Sequence, residues 1–210
     1  MNTRRQQRQR ENTIEEILAT ARAIMREEGT AALSMQELAR RMDMKAPSLY
    51  NYFASKRDIY DTLFRLGFEQ FAALIEEQLR DASGWREMLD CYFRAYMSFA
   101  VENPELYQLC FERPVPGFTP SPQSLEVSLR SLRRGQSFTA RWRADIQSEL
   151  SDEQVTDLVI AFSHGLTALH LANQPDLPVG EGRFGGLIPA AVSALLTAWS
   201  APNRTQGESS

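Results

Sequence analysis

Cysteine and histidine are scarce in this 210-residue chain, with two of each. Cys91 and Cys110 lie inside apolar helical patterns, without a C-x-x-C pair or a neighbouring histidine, which excludes a disulfide framework and a zinc site and leaves two buried thiols. His164 and His170 are six positions apart rather than the three or four that share a helix face, so no metal is expected. No apolar run approaches the roughly 18 to 20 residues of a membrane helix, and the start "MNTRRQQRQRENT" lacks the apolar segment of a signal peptide. The expectation is a cytoplasmic protein with no membrane partner. Strand-like alternation is missing too, as are a nucleophile elbow, a phosphate loop and paired catalytic carboxylates, so neither an enzyme nor a cofactor is expected.

What is present is an ordinary globular composition, 43% hydrophobic and 24% charged, with a charge imbalance hidden inside the net −4. Residues 1–57 hold 11 Lys and Arg against 7 Asp and Glu, whereas residues 58–210 hold 12 against 20. A basic N-terminal segment on an acidic body points to a polyanionic partner for that segment alone.

Helical spacing runs through the chain. Ile14, Ile17, Leu18, Ala21, Ile24 and Met25 form the stripe of a first helix at about 13–28, with Thr13 and Glu16 as a capping box and Gly29 as the stop. Ser34 and Glu37 make a second box before a short helix at 35–42. Asp43 suits a left-handed turn, and Pro47 suits the start of a third helix with Ala46, Leu49, Tyr50 and Phe53 facing inward. Ser55 with Asp58 opens a long fourth helix, and further patterns cover about 85–101, 103–111, 122–147, 151–173 and 183–200, with a capping box at Ser151 and Gln154. The expected fold is all-α with roughly nine helices, divided into residues 1–57, a helical body at 58–200 and a flexible tail at 201–210.

Two short helices joined by a few residues read as a helix-turn-helix, whose second helix enters the major groove of DNA. This accounts for the low charge of "APSLYNYF": Pro47, Ser48 and Asn51 on the outward face are short groups that can approach base edges and thymine methyls. Lys45, Tyr52, Lys56 and the arm Arg4, Arg5, Arg8 and Arg10 are candidates for phosphate contacts. Any two short amphipathic helices with a turn share this pattern, so the pattern alone leaves a purely structural pair open.

The run "LSMQELARRMDMKAPSLYNYFASKRDIYDTLF" resembles the DNA-binding domain of the tetracycline-repressor (TetR) family at Leu33, Ser34, Leu38, Ala39, Leu49, Tyr50, Tyr52, Phe53, Ser55 and Lys56. Asp43 stands where that family usually has Gly, and Lys45 where it often has Ser or Thr. The resemblance implies that Gln36, Lys45, Ala46, Pro47, Ser48 and Asn51 reach bases of a double-stranded operator, and that Tyr50, Tyr52 and Lys56 contact phosphate. In the body, "ENPELYQLCF" and "SHGLTALH" are similar to a TetR subgroup at Asn103, Pro104, Leu106, Tyr107, His164 and Gly165, with Ile160 in place of that subgroup's Trp.

Members of the family are homodimers with a small-molecule effector, and the body is compatible with both. Ala161, Gly165, Ala168 and Ala172 mark one face of the eighth helix, and Gly186, Ala190, Ala194 and Leu195 lie along the last; such faces suit a four-helix dimer interface or an internal helix pair. Phe64, Phe68, Tyr92, Tyr96, Phe99, Tyr107, Trp142 and His164 are the candidates for an effector pocket, although an aromatic stripe equally serves a plain core and His164 a structural hydrogen bond. The reading is a ligand-released repressor. A regulator without a small ligand, or an activator, is the alternative within the family, and a helical enzyme or carrier the alternative outside it.

Overall fold

The computed structural model describes residues 2–200; the tail expected at 201–210 lies outside them. Every regular element among the described residues is helical. Helix α1 spans Asn2–Glu28, α2 Met35–Arg41, α3 Ala46–Leu49, α4 Lys56–Leu79, α5 Trp85–Glu102, α6 Pro104–Tyr107, α7 Pro122–Arg141, α8 Asp152–Asn173, α9 Gly182–Gly185 and α10 Ile188–Ser200.

The capping signals held where a helix had no good residues upstream of them, and failed where it had. Arg, Gln and Glu fill the stretch before Thr13, all good helix formers, so α1 begins at Asn2 and Thr13 lies inside it with its hydroxyl donating to the Gln9 carbonyl. The first expected box is therefore not a helix start. Ser34 caps α2, its Oγ accepting from the Glu37 amide at 3.2 Å, but the Glu37 carboxylate turns to Arg40 and Arg41 instead of closing the box. Both limbs of the box at Ser151 and Gln154 form. Asp43 takes the left-handed turn, at φ 51°.

Three later boundaries also differ. The helix expected at 103–111 is one turn of α-helix followed by a π-turn over Gln108–Glu112, and α7 stops at Arg141 before a 3-10 turn at Arg143–Asp145. The helix expected at 183–200 is split between α9 and α10. Pro189 has no N–H to give the Gly185 carbonyl, so an unbroken helix cannot pass through it.

The chain divides into two compact units, Met1–Gln70 with Asn103–Leu129, and Phe71–Glu102 with Arg130–Ser210. In the first unit α1 buries Ile17, Ala21, Ile24 and Met25, and α6 is fastened to it by charge. The Glu105 carboxylate, fully buried, accepts from Arg22 at 2.7 Å and from Arg26 at 2.9 Å. Arg22 also donates to Asn103, and Thr30 to Gln108. Phe64, Phe68, Phe111 and Phe118 stack at centroid distances of 4.9–6.3 Å. Gly67 is required here, because a Cβ at that position would lie 2.6 Å from the Cys110 sulfur. Asp61 accepts from the Ser121 amide and from the hydroxyls of Ser121 and Ser124, which pins the start of α7 to α4.

In the second unit α5 packs against α8 and α10, with Trp85 against Trp199 at 5.7 Å and Phe71 against Tyr96 and Phe99 at 5.4 Å. Helix α8 is long and apolar enough by composition to cross a membrane, which corrects the expectation that no such run exists. Its buried face carries Ser163, Thr167 and His170 as well as Val155 and Val159, and a packed core helix passes the same compositional test. Its outer face shows Phe162 at 42% and Leu169 at 47% exposure. Leu187, Ala190 and Ala194 are exposed along the last turns of the chain, whereas Leu195, expected beside them, points into its own unit.

Candidate nucleic-acid interface

The local backbone explains the outward face of α3. The helix is only four residues long, and the chain continues in turns closed by Asn51 N–H to the Ser48 carbonyl and Tyr52 N–H to the Leu49 carbonyl. So short a helix has little stability of its own. Leu49 at 1% and Phe53 at 9% exposure anchor it, and Phe53 also donates its amide to Leu49. With these two inside, Pro47 and Asn51 are exposed and Ala46, Ser48 and Tyr52 half-buried. Tyr50 is 54% exposed, so the expected inward position for its ring is corrected: the turn that follows Leu49 rotates the side chain away from the stripe.

The other candidates surround this face. Gln36 is exposed in the first turn of α2, Lys45 is exposed as the residue preceding α3, and Lys56 is exposed at the start of α4. Arg4, Arg5 and Arg8 are exposed on the first turns of α1, on a helix rather than on an extended arm. Arg10, expected to reach phosphate, is exposed like the others and is also bonded: its guanidinium donates to the Asn51 carbonyl at 2.9 Å and lies 5.2 Å from the centre of the Tyr52 ring. Sequence reasoning missed this role, since nothing in local spacing joins residue 10 to residue 51.

Charge also sets α2 in place. Arg41 bonds Glu37 within α2 and Glu27 and Glu28 at the end of α1, while Arg40 bonds Glu37. Hydrogen bonds from Arg40 and Arg41 hold the Glu37 carboxyl at about 2, well below the ordinary carboxylate value. Arg40 and Arg41 are thus partly neutralised, by Glu37 of their own helix and, for Arg41, by Glu27 and Glu28 of α1.

The effector candidates are divided between the two units. Phe64, Phe68 and Tyr107 are in the aromatic core of the first unit. Tyr92, Tyr96, Phe99 and His164 belong to the second, where the Tyr96 hydroxyl is 3.2 Å from His164 Nδ1. Trp142 is half-buried at the end of α7 under the Arg141 guanidinium, 5.1 Å away. A cavity of about 30 Å³ in the second unit is lined by Tyr92 and by residues that the aromatic pattern did not single out, among them Trp85, Met88, Phe138, Thr139, Thr156 and Ile160. The Trp85 N–H is buried without an acceptor, the Thr139 and Thr156 hydroxyls share a 2.8 Å hydrogen bond, and desolvation pushes the Tyr92 phenol well above its ordinary value against a hydrogen bond with Ser163. No charged side chain lines this cavity.

Residues 17–63 match the family of bacterial regulatory proteins called tetR, and residues 89–184 match a tetracyclin repressor-like C-terminal domain. The chain belongs to the TetR family. It is 27% identical over 115 residues to an HTH-type transcriptional regulator of Mycobacterium tuberculosis, a match covering 54% of this chain and 49% of the relative. The chain thus spans about half the length of the curated relatives it matches. In fold it is similar to a protein of unknown function from Rhodococcus sp. RHA1, with a TM-score of 0.76 and 20% identity over 90% of this chain and 95% of the other. It is also similar to AibR, solved in complex with isovaleryl coenzyme A and operator DNA, with a TM-score of 0.66 and 14% identity over 87% and 97% of the two chains. At these identities the likeness is one of fold.

Proposed function

We propose that this protein is a ligand-responsive transcriptional repressor that acts in the cytoplasm, as a homodimer, on a pseudo-palindromic operator. The observation that carries the reading is the outward face of α3: small and polar side chains at Pro47, Ser48, Tyr50 and Asn51, presented on a turn pinned from behind by Leu49 and Phe53. Residues 1–57 read the DNA. Gln36, Lys45, Ala46, Pro47, Ser48 and Asn51 address bases, and Arg4, Arg5, Arg8, Tyr50, Tyr52 and Lys56 address phosphate.

Residues 58–200 supply the dimer contact and the effector site. Phe162 and Leu169, exposed beside Ala161, Gly165, Ala168 and Ala172 on α8, and Leu187, Ala190 and Ala194 near and on α10, are apolar groups of the kind a second copy covers in a four-helix interface. Two recognition helices then occupy successive major grooves about 34 Å apart.

The cavity beside Trp85 and Tyr92 has room for about one water, so an effector takes this place only by opening it, and with no charged side chain in the lining the part that enters is neutral or mostly apolar. That the structurally similar AibR was solved with both an acyl-coenzyme A and operator DNA supports a combined small-molecule and DNA function. The effector acts by binding two conformers unequally. Helices α4 and α7 each contribute residues to both units, so their continuous backbones are the means by which such a change is passed on.

The test is an anisotropy titration against duplex DNA from upstream of the protein's own gene, with excess competitor at two salt concentrations. Tight, competitor-resistant and salt-sensitive binding is expected. Equal, weak binding to scrambled duplexes selected to cover the same composition would remove the DNA-reading assignment.

A further inference from the structure

Arg10 is the one cation of the N-terminal turns with two contacts to the segment that follows α3. It donates to the main-chain carbonyl of Asn51 at 2.9 Å, and its guanidinium lies over the Tyr52 ring at 5.2 Å. These contacts span 41 positions of sequence, and they fall at the point where α3 has least support of its own. The helix closes after Leu49; the Ser48 and Leu49 carbonyls accept from the amides of Asn51, Tyr52 and Phe53, and the Asn51 carbonyl, beyond those turns, is the one Arg10 meets. A guanidinium donating to a main-chain carbonyl makes a charge-assisted hydrogen bond, stronger than one between neutral groups. The planar guanidinium adds what an ammonium cannot, a face for the Tyr52 ring and a directed N–H for the carbonyl at the same time.

We propose that Arg10 is a positioning residue for base reading: it holds the Ser48–Tyr52 turn, and with it the Asn51 side chain, in one orientation, and it ties that turn to the basic first turns of α1. The inference rests on the reading of α3 as the DNA-recognition helix. The core of α1 begins at Ile14 and Ile17, beyond Arg10, so the first unit does not depend on this contact for its burial. Arg4, Arg5, Arg8 and Arg10 are all exposed, and what sets Arg10 apart is its pair of contacts with Asn51 and Tyr52.

A phosphate contact and a positioning contact predict different measurements. Loss of a phosphate contact weakens all DNA alike, lowers the salt slope by about one counterion, and is largely repaired by lysine. Loss of a positioning contact lowers the ratio of specific to non-specific binding, leaves the salt slope in place, and is not repaired by lysine.

The probe is a duplex selected from a random pool by the wild-type protein, with a scrambled duplex of the same composition beside it. For Arg10→Ala we expect roughly tenfold weaker binding to the selected duplex, little change on the scrambled one, an unchanged salt slope, and a similar loss in Arg10→Lys. Amide hydrogen exchange of the free protein is read in parallel. Faster exchange at residues 50–53 in Arg10→Ala, with an unchanged thermal midpoint, is expected if the contact orders the turn. Equal loss on both duplexes, a slope reduced by about one, and rescue by lysine would overturn the inference and make Arg10 a phosphate contact. Unchanged exchange at 50–53 would overturn it without reference to DNA. If the wild-type protein selects no duplex at all, the recognition reading itself fails, and the exchange result alone then decides whether Arg10 holds the turn.

Discussion

Two exposed surfaces among the described residues, one at α3 and one on α8, have opposite chemistry. On α3 the exposed groups are Pro47, Tyr50 and Asn51, short or amphipathic, with Lys45 and Lys56 at the margins. On α8 they are Phe162 and Leu169 among alanines and a glycine. Water solvates the first set and penalises the second. The supports behind them differ as well. The short α3 depends on two buried anchors and the Arg10 contact, whereas the 22 residues of α8 carry a complete capping box and a buried face along their length.

The comparison can be broken most directly at α8. Leu169→Asp or Phe162→Asp places a charge in the exposed apolar face, and sedimentation equilibrium should then show the mass of one chain where the wild type shows two; an unchanged mass would remove this face from the dimer reading.

The fastening of α6 to α1 is tested next. Glu105→Ala leaves the partly exposed Arg22 and Arg26 without their buried partner, and an unfolding free energy lower by about 2–3 kcal/mol, read as a lower midpoint at constant denaturant slope, is expected. A change of less than about 0.5 kcal/mol would show the pair to be no more than a surface contact.

On the DNA side, Asn51→Ala should change preference at one base position per half-site by about 1–3 kcal/mol, whereas Lys56→Ala and Tyr52→Ala should weaken all sequences together. Tyr52 lies under Arg10, so its variant sharpens the comparison further: a selectivity profile like that of Asn51→Ala would place Tyr52 with the positioning contacts.

The smallest effect expected is on pH dependence. Glu37 is depressed to about 2 from an ordinary value of 4.5, so its contribution to stability is present above about 4.5 and is lost as the pH falls toward 2. Glu37→Gln should flatten the acid limb of the stability curve in that window and leave neutral pH nearly unchanged. An acid limb identical to that of the wild type would show that Arg40 and Arg41 do not hold this carboxylate in solution.

Much of the architecture was legible in the residues. The stripe Ile17, Ala21, Ile24, Met25, the cap at Ser34, the left-handed Asp43 and the box at Ser151 each follow from local rules, because spacing, capping and turn geometry act over a few residues. The family resemblance read from Leu33 to Lys56 agrees with the matched residues 17–63. Less was legible at the site. Tyr50 was expected inward because a four-residue helix was read as a longer one, and the Arg10 contact went unread because no local rule pairs it with Asn51.

Sequence by itself determined the all-helical class, most helix positions, the segregation of positive charge into residues 1–57 and the outward face of α3, since these depend on composition and short-range periodicity. Only the tertiary structure decided that residues 103–129 belong with the N-terminal unit, that Glu105 is buried between Arg22 and Arg26, that Arg10 holds the end of α3, and that the cavity is lined by Trp85 and Thr139 rather than by Trp142. Those features are contacts between residues tens of positions apart, and their energies exist only once the chain has closed the loops between them.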